Sequence, residues 1–182
     1  KNQADFVCGG DADNRLINAI IRSSRIKKVY FYGDSTFSLN APIVLKDDME
    51  IKSNGAIFTQ PAMVTTSVKS AQTDLTAKLL RVTSVTGIES GQYLYLQNDD
   101  GNNMYNIVDF VSTGSYPSIT FKNPVNYLWT PDNNAVVKTA NPCFVLDHIS
   151  NVVLDGVCVD WNVEENPIQT YNPYFLQEGI SV

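Results

Sequence analysis

Histidine is almost missing from this chain: His148 is the only one in 182 residues. Cysteine is scarce too, with Cys8, Cys143 and Cys158 and no CxxC spacing, so a zinc site of the usual Cys/His type would have to recruit carboxylates. Three thiols cannot all pair within one chain. They read as free, buried cysteines of a protein folded under reducing conditions. No apolar run approaches the ~18 residues that a membrane-spanning helix needs, which excludes such a helix. Basic residues are few: 13 Lys and Arg stand against 19 Asp and Glu, for a formal net charge of -6. Beyond Arg22, Arg25, Lys27 and Lys28 no basic cluster stands out, which argues against binding nucleic acid through its phosphates. A nucleotide-binding glycine loop, a nucleophile elbow and an HExxH are all absent, and Gly9-Gly10 reads as a turn. No cofactor and no metal is implied. None of the 18 asparagines stands in an Asn-x-Ser/Thr sequon.

What is abundant points to strands. Val, Ile and Thr together number 45, and asparagine supplies turns. One helix is predicted, over about Asp13 to Ser23, where Leu16, Ile17, Ile20 and Ile21 form a stripe and Asp11 or Asp13 can cap the start. From Lys28 the period changes to 2. Short strands are predicted at Val29-Tyr32, Thr36-Leu39, Ile43-Leu45, Met49-Lys52 and Ala56-Thr59, with turn residues roughly every seven positions.

Between about Met63 and Ala135 the segments Leu79-Val82, Gln92-Leu96, Met104-Val111 and Ser118-Phe121 alternate as half-buried antiparallel strands do. Their connections are hairpin-like, and the region reads as a small β insertion of four or five strands. The short-strand rhythm returns at Cys143-Leu146, Asn151-Gly156 and Val157-Asn162. A further strand begins at Gly179-Val182, which implies a truncated chain or a partner that completes the sheet. The expected division is therefore 1–62, 63–135 and 136–182. The opening Lys1, without a start Met or a signal peptide, reads as a processed or excised fragment.

The stretch Ala4-Asp5-Phe6-Val7-Cys8, Gly10-Asp11-Ala12-Asp13-Asn14 and Ile17-Asn18-Ala19-Ile20-Ile21, continued by Val29-Tyr30-Phe31, Gly33, Thr36-Phe37, Pro42-Ile43 and Met49-Lys52, resembles the opening of the pectate-lyase-like superfamily. That superfamily includes many bacteriophage tail spikes and appendages. Asn151-Asp160 is similar to one of its repeating coils, and Val82-Leu94 to the β insertion that follows the first coils of phage spikes. Asp34-Ser35 departs from the Pro that often precedes the turn there. The resemblance implies an all-β fold: a right-handed parallel β-helix with a short N-terminal capping helix and a small antiparallel β insertion. Each coil of a solenoid buries its inward residues only against its neighbours, so the end needs a cap. On this reading Ile20→Asp costs several kcal/mol.

Glycoside hydrolysis needs two carboxylates ~5–9.5 Å apart on one surface. The candidate catalytic acids are Asp155, Asp160, Glu164, Glu165 and Glu178, although Glu164-Glu165 equally reads as a solvated loop. Trp161, Tyr171 and Tyr174 are candidates to stack on sugar rings, or alternatively to pack on a neighbouring subunit. His148 reads as a hydrogen-bonded corner residue rather than a base. The resemblance implies a virion tail component that recognises host cell-surface polysaccharide, a homotrimer when complete. The alternatives are a phage-borne polysaccharide depolymerase on the same scaffold and a secreted bacterial polysaccharide lyase. Against a lyase site in the last coils, Lys138 is the only basic residue after Lys122.

Overall fold

In the computed structural model the described residues are 13–33, 35–160 and, for the backbone alone, 175–178. The chain is mostly β. Helix α1 (Asp13–Arg22) precedes β1 (Lys28–Phe31), β2 (Thr36–Ser38), β3 (Ile43–Val44), β4 (Glu50–Ser53) and β5 (Ile57–Thr59). There follow β6 (Thr65–Ser67), β7 (Leu79–Arg81), β8 (Tyr93–Gln97), β9 (Asn103–Ser112), β10 (Ser118–Phe121) and β11 (Val136–Thr139). The last four strands are β12 (Phe144–Asp147), β13 (Val153–Asp155), β14 (Cys158–Asp160) and β15 (Phe175–Glu178). The chain forms two compact units, residues 1–61 with 142–182, and residues 62–141.

The first unit holds three short parallel sheets. The first is ordered β1-β4-β13, the second β2-β5-β14 and the third β3-β12-β15. Successive strands of this unit visit the three sheets in rotation, so each passage around them adds one strand to each. Register partners are 22 residues apart from Lys28 to Glu50 and 21 apart from Thr36 to Ile57. Across the second unit the separations rise to 103 for Glu50 with Val153, and to 101 for Ile57 with Cys158 and for Ile43 with Phe144. Residues 62–141 account for 80 of these, leaving 23, 21 and 21. The second unit is thus an excursion in a regular repeat. The step from Phe144 to Phe175 is longer, at 31.

Period-2 alternation explains what the first unit buries. Phe31 is buried while Tyr30 and Tyr32 are exposed; Phe37 and Phe58, register partners in β2 and β5, stack with ring centroids 5.4 Å apart. Phe31 meets both edge-on, at 5.1 and 5.0 Å, and Phe144 meets Phe58 at 5.3 Å. Edge-to-face rings of this kind add to the area they bury. Helix α1 packs against β2 and β3 and joins this core through Ile17 and Ile21, each only 1% exposed. The helix ends one residue earlier than predicted, and its stripe is narrower: Leu16 is 37% exposed and Ile20 half-buried. The burial penalty that the sequence placed on Ile20 therefore belongs to Ile17 and Ile21.

Corners carry the residues that tolerate left-handed backbone. Between the third and first sheets stand Asp48 and Asn151, with φ of 55° and 57°, and Asn151 Nδ2 donates to Asp48 Oδ1 at 3.0 Å. Asx side chains accept this geometry and bond to one another across successive passages. Between the first and second sheets Gly156, at φ 67°, lies so close to Ser53 that a Cβ would stand 2.2 Å from its carbonyl oxygen. Only glycine fits that approach.

The second unit is one antiparallel sheet of six strands, ordered β6-β11-β8-β9-β10-β7. Its two end strands are themselves linked by a bridge between Val68 and Val82, so the sheet curls back on itself around its own core. Leu80, Leu94, Leu96, Val108, Ile119, Phe121, Trp129 and Val137 fill that core. Four or five strands were predicted and six are present. Sequence alternation missed β6, and it assigned Val136–Thr139 to the segment 136–182, whereas this strand pairs with β6 and β8. Cys158 is exposed, contrary to the reading of all three thiols as buried; Cys143 is buried, and Cys8 lies outside the described residues. Burial pushes the Cys143 thiol up to about 11, even though Gln60 Nε2 donates to its sulfur.

Candidate functional site

The outward face of the first sheet gathers charged and aromatic side chains of β1, β4 and β13. Alternation in Lys28-Val29-Tyr30-Phe31 turns Val29 and Phe31 toward the core and leaves Lys28 and Tyr30 outside. In β4 the same rule leaves Glu50 and Lys52 flanking buried Ile51. The register then aligns two rows across the sheet, Lys28-Glu50-Val153 and Tyr30-Lys52-Asp155.

Charges on these rows form a continuous ladder. Lys28 Nζ lies 2.8 Å from Glu50 Oε2, Lys52 Nζ lies 3.2 Å from Glu50 Oε1, and Lys52 Nζ reaches Asp155 Oδ2 at 3.0 Å. The hydrogen bond from Lys28, aided by Lys52, holds the Glu50 carboxyl below its ordinary value. Asp155, and then Glu50, raise Lys52 above its own. Opposite charge at hydrogen-bond distance favours the ionised form of both partners. Beside the ladder Tyr30 and Tyr32 lie with ring centroids 4.6 Å apart, 42% and 63% exposed. Apolar ring faces next to ionised donors and acceptors suit a ligand with both hydroxyl groups and apolar patches.

Of the predicted acids, Asp155 lies in this ladder. Asp160 is exposed on β14 of the second sheet, and Glu178 belongs to β15 of the third. The three are therefore on three different sheets. Glu164, Glu165, Trp161, Tyr171 and Tyr174 lie outside the described residues. His148 is exposed at φ 52°, with Nδ1 against the Asp147 carboxylate. Among the described residues no group of three or more His, Cys, Asp or Glu is placed to hold a metal ion. Sequence reasoning missed Tyr30, Tyr32, Glu50 and Lys52. The signal was the strict alternation of β1 and β4, which sorts Tyr30, Glu50 and Lys52 to the face opposite the core, and of which Tyr32 is the next step after β1.

No family model matches this chain, and no curated protein matches it. Among solved structures it is similar to phage tailspikes. One is the Gp54 tailspike of Acinetobacter baumannii bacteriophage AP22 in complex with A. baumannii capsular saccharide, at 14% identity and TM-score 0.39, over 83% of this chain and 30% of that one. Others are the tailspike gp49 of Pseudomonas phage LKA1, at 12% identity and TM-score 0.35, over 81% and 29%, and the tailspike gp61 of Pseudomonas phage phi297, at 14% and 0.39, over 81% and 30%. The chain spans about 30% of the length of these tailspikes.

Proposed function

We propose that this chain is a portion of a bacteriophage tail spike or appendage, a virion component that takes part in recognising host-surface polysaccharide. In this reading the three parallel sheets are the faces of a parallel β-helix, and each coil gives one strand to each face. They are closed at one end by α1 and interrupted in the second coil by the antiparallel unit. A right-handed path follows the strong preference of parallel crossovers. The observation that carries the fold is the repeat of 21 to 23 residues that survives once residues 62–141 are set aside. Saccharide recognition is supported by the exposed Tyr30 and Tyr32 rings beside the Lys52-Asp155 pair. In the same reading the complete protein is a homotrimer in the virion tail.

The test is titration of this chain with a panel of purified bacterial capsular polysaccharides, following binding, new reducing ends and unsaturated-sugar absorbance together. Binding that falls about tenfold in Tyr30→Ala or Tyr32→Ala, roughly the loss of one stacking contact, supports the reading. Failure to bind any member of the panel overturns it. New reducing ends would identify a depolymerase, with the absorbance separating lyase from hydrolase.

A further inference from the structure

Four of the five basic residues between 62 and 141, Lys69, Lys78, Arg81 and Lys122, gather around β7 and its neighbours. Val68 and Val82 form the bridge that links the sheet ends, and both are buried. Lys69 and Arg81 are therefore outward neighbours, with Lys69 N donating to Arg81 O at 2.8 Å. Lys78 Nζ donates to Lys122 O at 2.7 Å, which sets its ammonium group beside Lys122 at the Phe121 end of β10, whereas Arg81 pairs with Ser118 at the other end of that four-residue strand. Among the described residues no ion pair joins any of these four to a carboxylate. Lys27, Lys28 and Lys52 of the first unit, by contrast, are all paired with acids.

Exposed aromatic surface adjoins these cations. The Arg81 guanidinium lies 5.1 Å from the centroid of the Tyr116 ring, which is 67% exposed. The register sets Leu79 beside Thr120 and Thr120 beside Phe110, which makes a second outward row in which Phe110 is 62% exposed. Ser118 and Ser112 continue the row that starts at Arg81. Three acidic groups of this unit accept hydrogen bonds from neighbouring side chains or backbone. Asp74 accepts from Thr76 at 2.7 and 2.9 Å, and Asp99 and Asp100 accept from Asn134 and Asn133. Asp109 stands beside Phe110 at the β9 irregularity and is the carboxylate nearest along the strand.

We infer that this face of the antiparallel unit is a second saccharide-binding surface, selective for an anionic polysaccharide that carries carboxylates. The inference rests on the polysaccharide-recognition reading above and adds a site and a ligand class. Unneutralised cations in a chain of net charge -6 leave a local field complementary to a polyanion, and Arg81 offers a planar fork that matches a carboxylate. Phe110 and Tyr116 supply faces on which the apolar side of a sugar ring can rest. Four cations spread over one patch are too few for the phosphate tracking that nucleic acid demands.

The experiment titrates the whole isotope-labelled chain with alginate oligosaccharides, in which every sugar bears a carboxylate, and with neutral dextran oligosaccharides. Binding is read by calorimetry and by the amide and side-chain signals of Arg81, Phe110 and Tyr116. The expected result is perturbation of those signals by alginate and not by dextran, affinity reduced at least tenfold in Arg81→Ala, and severalfold weakening at high salt. Equal response to dextran, no response to alginate, or wild-type affinity in Arg81→Ala each overturns the inference. Concentration-dependent self-association abolished by Tyr116→Ala would also overturn it, in favour of a contact between copies. If the capsular panel binds through Tyr30 and Tyr32 while Arg81→Ala is without effect, only this inference falls; if neither the panel nor alginate binds, both readings fall.

Discussion

Asn18 grips the edge of the third sheet as a neighbouring strand would: its Nδ2 donates to Pro42 O at 2.8 Å, and its Oδ1 accepts from Val44 N at 2.8 Å. One side-chain amide from α1 thus satisfies a donor of β3 and the acceptor just before it, at an edge where no strand among the described residues pairs and which otherwise invites pairing with another chain. Asn18→Ala is expected to lower unfolding free energy by about 1–3 kcal/mol and to increase aggregation, as read from urea titration and turbidity. Unchanged stability and solubility would show that the helix holds that edge by other means.

Gly156 and Gly101 separate close approach from backbone conformation. Both have positive φ, 67° and 80°, but a Cβ at Gly156 meets the Ser53 carbonyl while one at Gly101 meets open space. Gly101→Ala is expected to cost about 1–2 kcal/mol, the left-handed penalty alone. Gly156→Ala should cost clearly more. Equal melting temperatures for the two variants would contradict the stacked corner.

Ile17 and Ile20 lie one turn apart on α1, yet only Ile17 is fully buried. Ile17→Ala is expected to destabilise by about 2–5 kcal/mol, and Ile20→Ala by distinctly less. Chemical denaturation of the pair decides which stripe of the helix carries the cap.

Acid should loosen the ladder on the first sheet. The folded Glu50 carboxyl lies below its ordinary 4.5 because of Lys28 and then Lys52, so its stabilising contribution is present above that value and is lost as pH falls through the folded one. Asp48 behaves alike below 3.8, held first by Asn151 and then by Lys27. Lys52 has the opposite sign: raised above 10.5 by Asp155 and Glu50, its contribution is present below that value and disappears as pH rises through the folded one. The urea midpoints of the parent and Glu50→Gln should therefore differ near neutral pH and converge on acidification below 4.5. A difference that stays constant with pH would mean the carboxylate's charge is not what matters.

Local pattern was enough to read the helix and the short strands with their outward and inward faces. Asp155 was singled out for acidity alone, and its partner Lys52 lies 103 residues earlier, across a register that no local signal reports. Tyr30 was legible in principle, because alternation sorts it outward. Its place beside that pair was not.

Period-2 burial, turn residues and one amphipathic stripe by themselves determined that this chain is built of short strands with a single described α-helix, because those choices are made residue by residue. Only the tertiary structure decided which strands meet: β11 with β6 and β8, β4 between β1 and β13, and Val68 with Val82 to curl the antiparallel sheet. The physical reason is that pairing is made by backbone groups that are the same at every residue, so partners are selected by burial of faces over separations of 20 to 100 residues.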